Sequence, residues 1–214
     1  MTIFFVTAHD DATNANRVMA NYVCKPHDLQ LYEISAVRSS LLNALTDGSH
    51  STAFLMSHGK PYGIVGNDNI FAINENDGST LANFKVFAWA CWTGSRLGHY
   101  ISLQGGIWWG YDCRVTAPDE RPKFAKIMAP FFQTAKDNFG NGIDAHSILT
   151  ILNQIQSKCI QALNDLDAID AHLDEDGFSL YSCCNQFWER LSVWMVGMDM
   201  PFRHPAAPPP FIDL

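Results

Sequence analysis

The chain is short of cations and never clusters them. Its 214 residues carry 14 lysines and arginines against 22 aspartates and glutamates, a net charge of -8. Nucleic-acid affinity rests on gathered Lys and Arg, so no direct nucleic-acid partner is expected. The densest basic stretch, "DERPKFAK" (119–126), alternates acid, base and apolar residues and reads as the solvated start of a helix. No run approaches the ~18 apolar residues of a membrane span. The opening "MTIFFVTAHDD" turns acidic without the basic region and cleavage segment of a secretory signal. A cytoplasmic protein without membrane contact is the expectation. GxGxxG and GxxxxGK[ST] are both missing, which removes the phosphate cradles of dinucleotide and P-loop enzymes. CxxC and HxxxH are missing too; adjacent Cys183 and Cys184 rarely make a tetrahedral site alone, and His9 with Asp10 and Asp11 groups ligand types without such a spacing. No metal and no cofactor are expected. The six cysteines follow no small-scaffold spacing and suit reduced thiols.

What is present is apolar material for one sizeable core: 47% of residues are hydrophobic and six are tryptophan. "TIFFVT" (2–7), "LQLYEIS" (29–35), "STAFLMS" (51–57), "NFKVFAWA" (83–90) and "GGIWWGYD" (105–112) are strand candidates. Several are continuous apolar runs of the kind a sheet buried on both faces requires. Helical spacing fills 12–23 and 36–48, the latter closed by Gly48. That βαβ rhythm predicts an α/β fold with a mostly parallel sheet. "GIV" and "IFAI" around "GNDN" predict a small hairpin off the sheet, and "GSRLGHYIS" a short helix after the fourth strand. Vicinal Trp108 and Trp109 should face opposite sides of the fifth. Residues 121–139 and 147–171 predict a helical C-terminal half, whereas 177–198 reads equally as a helix with a strand or as one buried helix. Residues 1–200 are read as a single domain. Residues 201–214, with half of the ten prolines, are read as a tail that is either an extended arm or disordered.

Two of the strand candidates end in reactive side chains. "FLMSHG" stops at His58 and "FAWAC" stops at Cys91, 33 residues later, each with glycine close behind. Ligands gather at the carboxyl ends of parallel strands. If these two strands are neighbours, His58 and Cys91 emerge on one rim about one strand spacing apart, as a nucleophile and its base require. Cys91 would attack a carbonyl and His58 would serve as acid or base. The amides of Gly59 and Cys91 could donate to the developing oxyanion, Gly59 leaving room for close approach. Asp10, after the first strand, and Asp112, after the fifth, could line the mouth and favour a basic substrate residue; Asp10 and Asp11 also suit the start of the helix that follows. The plainer alternative is a turn histidine and a small buried cysteine.

"LMSHGKPYG", "VFAWACWTGS" and "GGIWWGYDCRV" together resemble the caspase-like cysteine peptidases, most of all their CHAT branch, over residues 2–117. The resemblance implies a three-layer caspase-like α/β/α sandwich and a cysteine endopeptidase with a His58/Cys91 dyad. It places Gly59 at the oxyanion, with a protein or peptide as substrate and an activating or regulatory partner protein. The sequence departs from the caspase signature in having Trp89 where Gln precedes Ala-Cys and 33 residues instead of about 50 between the pair. Trp89 and Trp92 flank the thiol. Two other functions stand beside the peptidase: a catalytically silent caspase-like interaction module, its cleft closed by those tryptophans, and a cysteine hydrolase acting on a small molecule in a closed pocket.

Overall fold

A computed structural model describes residues 1–209. Five strands run parallel: β1 (Thr2–Val6), β2 (Leu29–Tyr32), β3 (Thr52–Met56), β7 (Lys85–Trp89) and β8 (Ile107–Tyr111). β9 (Leu191–Trp194) closes one edge antiparallel to β8, giving the order β2-β1-β3-β7-β8-β9. The α/β class with a mostly parallel sheet is therefore observed. The central strands β1, β3, β7 and β8 are apolar beyond their first residues because both faces are covered. In register, Phe4, Phe54 and Phe87 stack across β1, β3 and β7 with ring centroids 5.2 and 4.8 Å apart. Trp109 of β8 continues the row at 6.4 Å.

That aromatic face lies under α1 (Asp11–Val23), α4 (Pro122–Asn138), α5 (Ala145–Asp167) and α6 (Gly177–Glu189). The opposite face, with Ile3, Ala53, Val86 and Trp108, lies under α2 (Arg38–Thr46) and α3 (Arg96–Leu103). A second sheet adds to this side: β4 (Gly59–Lys60), β5 (Gly63–Val65) and β6 (Phe71–Asn74) pair antiparallel in that order. The expected hairpin is thus three-stranded, because the chain pairs with β5 as soon as it leaves His58. Trp108 and Trp109 serve opposite faces, as alternation demands.

The ambiguous segment 177–198 resolves into α6 followed at once by β9. β2 stops at Tyr32, short of the expected Ser35, because Glu33 turns the chain with φ +50°. Of the proline-rich tail, residues 201–209 form an extended arm on the fold. Phe202 exchanges two 2.8 Å backbone hydrogen bonds with Val193, and the buried His204 bonds Asn153 of α5 at 2.8 Å. Residues 210–214 lie outside the described part. Among the described residues no helix is long and apolar enough to cross a membrane.

Candidate active site

β3 and β7 are adjacent and parallel, with Met56 opposite Trp89. Extending that register by two residues sets His58 opposite Cys91. Side chains two apart share a face, so both should point to the side of Met56 and Trp89, where α1 begins. His58 and Cys91 accordingly line the same two spaces. One is a narrow cavity of about 90 Å³ under the start of α1, bounded by Thr13, Asn16, Ser57, Trp89 and Val115 among others. The other is an open groove of about 500 Å³ bordered by Gly59, Lys60, Pro61, Trp92 and Arg114.

Gly59 is required where it stands. A Cβ there would lie 2.2 Å from the Cys91 carbonyl oxygen, 2.9 Å from the Cys91 nitrogen and 2.8 Å from Thr93 Cγ2. The Val65 amide donates to the His58 carbonyl at 3.0 Å, carrying the β4–β5 register on by one pair. Antiparallel alternation then turns the Gly59 amide away from β5. Among the described residues no protein acceptor takes the Cys91 amide. Both amides expected at the oxyanion are left without a ladder partner.

The turn carrying Cys91 is pinned from below. Trp92 and Gly94 donate their amides to Cys113 and Tyr111 at 3.0 and 2.7 Å, and Trp194 Nε1 donates to the Gly94 carbonyl. Trp92 holds a left-handed φ of +66° to make this turn. Cys91 Sγ accepts the Val115 amide at 3.4 Å and lies 3.8 Å from the Val115 carbonyl. α3 begins five residues beyond Cys91, and its first-turn amides at Leu97 and Gly98 go to Pro61 and Thr93. The sulfur is therefore served by the chain after β8, not by a helix N-terminus.

Asp10 closes the other side of His58. It caps α1, its Oδ1 accepting the Thr13 amide at 3.0 Å and the Thr13 hydroxyl at 2.8 Å. Its Oδ2 meets His58 Nε2 at 2.5 Å. Burial alone would raise the Asp10 carboxyl, but the hydrogen bonds from His58 and Thr13 outweigh it and hold the group at about 2. Asp10 is therefore anionic across the physiological range and can fix the imidazole's tautomer and direction.

The remaining expectations sort by position. Trp89 is buried against Tyr111, Phe132 and Phe187 and forms the cavity floor, so it does not cover the thiol; Trp92 stands half-buried at the groove wall. Asp10 is engaged by His58. Asp112 borders neither space: its Oδ1 is buried without a partner, and its charge acts on Cys113 and on Arg203 of the arm. The groove mouth is bordered by the exposed cations Lys60 and Arg114, with neither carboxylate among its lining residues. Lys60, Arg114 and Val115 carry no signal in the sequence because tertiary packing alone brings them here, whereas His9 stands out there only beside Asp10 and Asp11. No protein-family model matches the chain, and no curated protein matches it either.

Proposed function

We propose that the chain is a caspase-like cysteine endopeptidase. The observation that carries this reading is that His58 and Cys91, each just past the end of neighbouring parallel strands, line the same cavity and the same groove while Asp10 bonds the imidazole. Cys91 sulfur attacks the scissile carbonyl carbon, and the amides of Gly59 and Cys91 receive the oxyanion. As the C–N bond breaks, His58 gives a proton to the leaving amine. It then takes one from the water that cleaves the thioester and frees Cys91.

The open groove favours a peptide over a small molecule in a closed pocket. Its cations favour an acidic residue beside the scissile bond. The contact of Val115 with the sulfur supports control by a partner protein: an activator that moves residues 114–117 would widen the narrow cavity. Peptides bearing Asp or Glu are expected to be cut faster than Arg or Lys peptides. Cys91→Ala and His58→Ala should each lower turnover about 10³-fold or more with unchanged thermal melting. Retained cleavage in either variant ends the reading, and faster cleavage of basic peptides ends the charge assignment.

A further inference from the structure

Beside the dyad, three ligand-bearing side chains converge that the sequence keeps apart. His9 and Asp10 follow β1, His58 follows β3, and 48 residues separate Asp10 from His58. β1 and β3 are paired neighbours, with Val6 opposite Met56, so their carboxyl ends deliver all three to one spot. Both imidazole Nε2 atoms approach the same carboxylate oxygen: His58 lies 2.5 Å and His9 3.8 Å from Asp10 Oδ2. One nitrogen or oxygen atom from each of the three side chains falls within 4.8 Å of the others, and the two rings meet edge to face at 5.5 Å.

We infer that His9, Asp10 and His58 form a binding site for a zinc ion, and that the ion holds the dyad off. Zinc takes His nitrogen and carboxylate oxygen at about 2.0–2.2 Å, which sets neighbouring ligand atoms of a tetrahedron about 3.3 Å apart. The separations of the two Nε2 atoms from Asp10 Oδ2, 2.5 and 3.8 Å, lie on either side of that value. Two imidazoles and one carboxylate suit a borderline cation over magnesium or calcium. The carboxylate is already oriented: its Oδ1 is fixed by the Thr13 amide and hydroxyl, which leaves Oδ2 for the ion. His9 supplies the independent observation. Its ring is largely buried, its Nδ1 has no hydrogen-bond partner, and its Nε2 makes only the distant approach to Asp10. Nε2, the atom aimed at Asp10 Oδ2, thus has no acceptor within hydrogen-bond distance among the described residues and is free to take a metal. The fourth position opens to water, since Asp10 and His58 are both partly exposed.

Binding would replace the Asp10–His58 hydrogen bond with two bonds to the metal. His58 would lose the nitrogen through which Asp10 orients it and would be turned away from its work on Cys91 and the leaving amine. The regulatory part rests on the peptidase reading; the metal site does not.

The test therefore starts from the full chain carrying Cys91→Ser, which cannot use the thiol either to cleave or to bind metal. Zinc titrated against a chromophoric chelator should give one ion per chain. His9→Ala, Asp10→Asn and His58→Ala should each weaken it at least as much as losing an outer-shell partner does, about 10- to 100-fold. Cobalt should give visible bands of a low-symmetry N/O site that His9→Ala removes, circular dichroism confirming the fold. In chain with Cys91 intact, zinc should inhibit peptide cleavage, and in His9→Ala half-inhibition, measured against that variant's own zinc-free rate, should need about tenfold more zinc. Absence of binding, or binding indifferent to His9→Ala and Asp10→Asn, overturns the site. Binding without any peptidase activity would keep the site and remove only its regulatory role.

Discussion

A thiol reacts through its thiolate, so the six cysteines are ranked by their surroundings. Burial pushes Cys159 and Cys183 well above the ordinary thiol range, Cys184 to about 12 and Cys113 to about 11, and it raises the half-buried Cys24 as well. Cys91 is half-buried on an open groove, with an amide donating to its sulfur. Iodoacetamide near neutral pH should therefore label Cys91 first, and peptide mapping should find the fast phase gone in Cys91→Ser. A different residue dominating that phase would remove Cys91 as the nucleophile. Asp10→Asn keeps a good helix cap while removing the charge beside His58. It should lower kcat about 10- to 100-fold, a share of the ~10²–10⁴ available to acid–base catalysis, with little change in melting. His58, Cys91 and Gly59 were legible because each ends or follows an apolar run. The Asp10–His58 pair was not, since nothing in the local pattern shows that the ends of β1 and β3 meet.

At the scale of elements, α4 is tied to the β1–β2 edge by an ion pair out of reach of water. Lys136 Nζ lies 2.5 Å from Asp28 Oδ2, the two side chains only 4% and 1% exposed. Asp28 also accepts the amides of Lys25 and Thr2. Lys136→Met would strand the carboxylate and should cost about 3–5 kcal/mol in denaturant unfolding, most of it recovered by adding Asp28→Asn. Burial would raise the Asp28 carboxyl, but Lys136 and the two amides hold it below its ordinary 3.8. Its contribution is therefore complete above that value and fades as pH falls through the lower folded one. The stability gap between the native chain and Lys136→Met should accordingly narrow on going from pH 6 to pH 3; a gap that stays constant would deny the pair its charge. Strand and helix types through β8 were readable from period and length. The α6–β9 junction was not, because helix and strand there are both buried and their apolar residues run together without a turn signal.

For the whole molecule, the arm finishes what β9 begins. Phe202 supplies the hydrogen-bonding partners of Val193, and His204 reaches α5. Ending the chain at residue 200 should cost about 2–3 kcal/mol, given roughly 1 kcal/mol per hydrogen bond. Amide exchange should accelerate first in Ser192–Trp194; unchanged protection there would show the arm to be incidental. The parallel sheet could be foreseen from the alternation of apolar runs and helices. That its last strand comes from the far end of the chain could not, since antiparallel return depends on a partner about 80 residues back.

The division of the core also sets a timetable. The aromatic row from Phe4 to Trp109 is synthesised first, yet α4, α5 and α6, which cover it, leave the ribosome last, and β9 later still. At ~5–20 residues per second the stretch from Trp109 to Glu189 takes roughly 4–16 s, at the start of which only α1 of the four covering helices has been made. Until then the aromatic face is covered only in part and stays open to wrong partners, although every residue lining the cavity and the groove beside His58 and Cys91 has already been made.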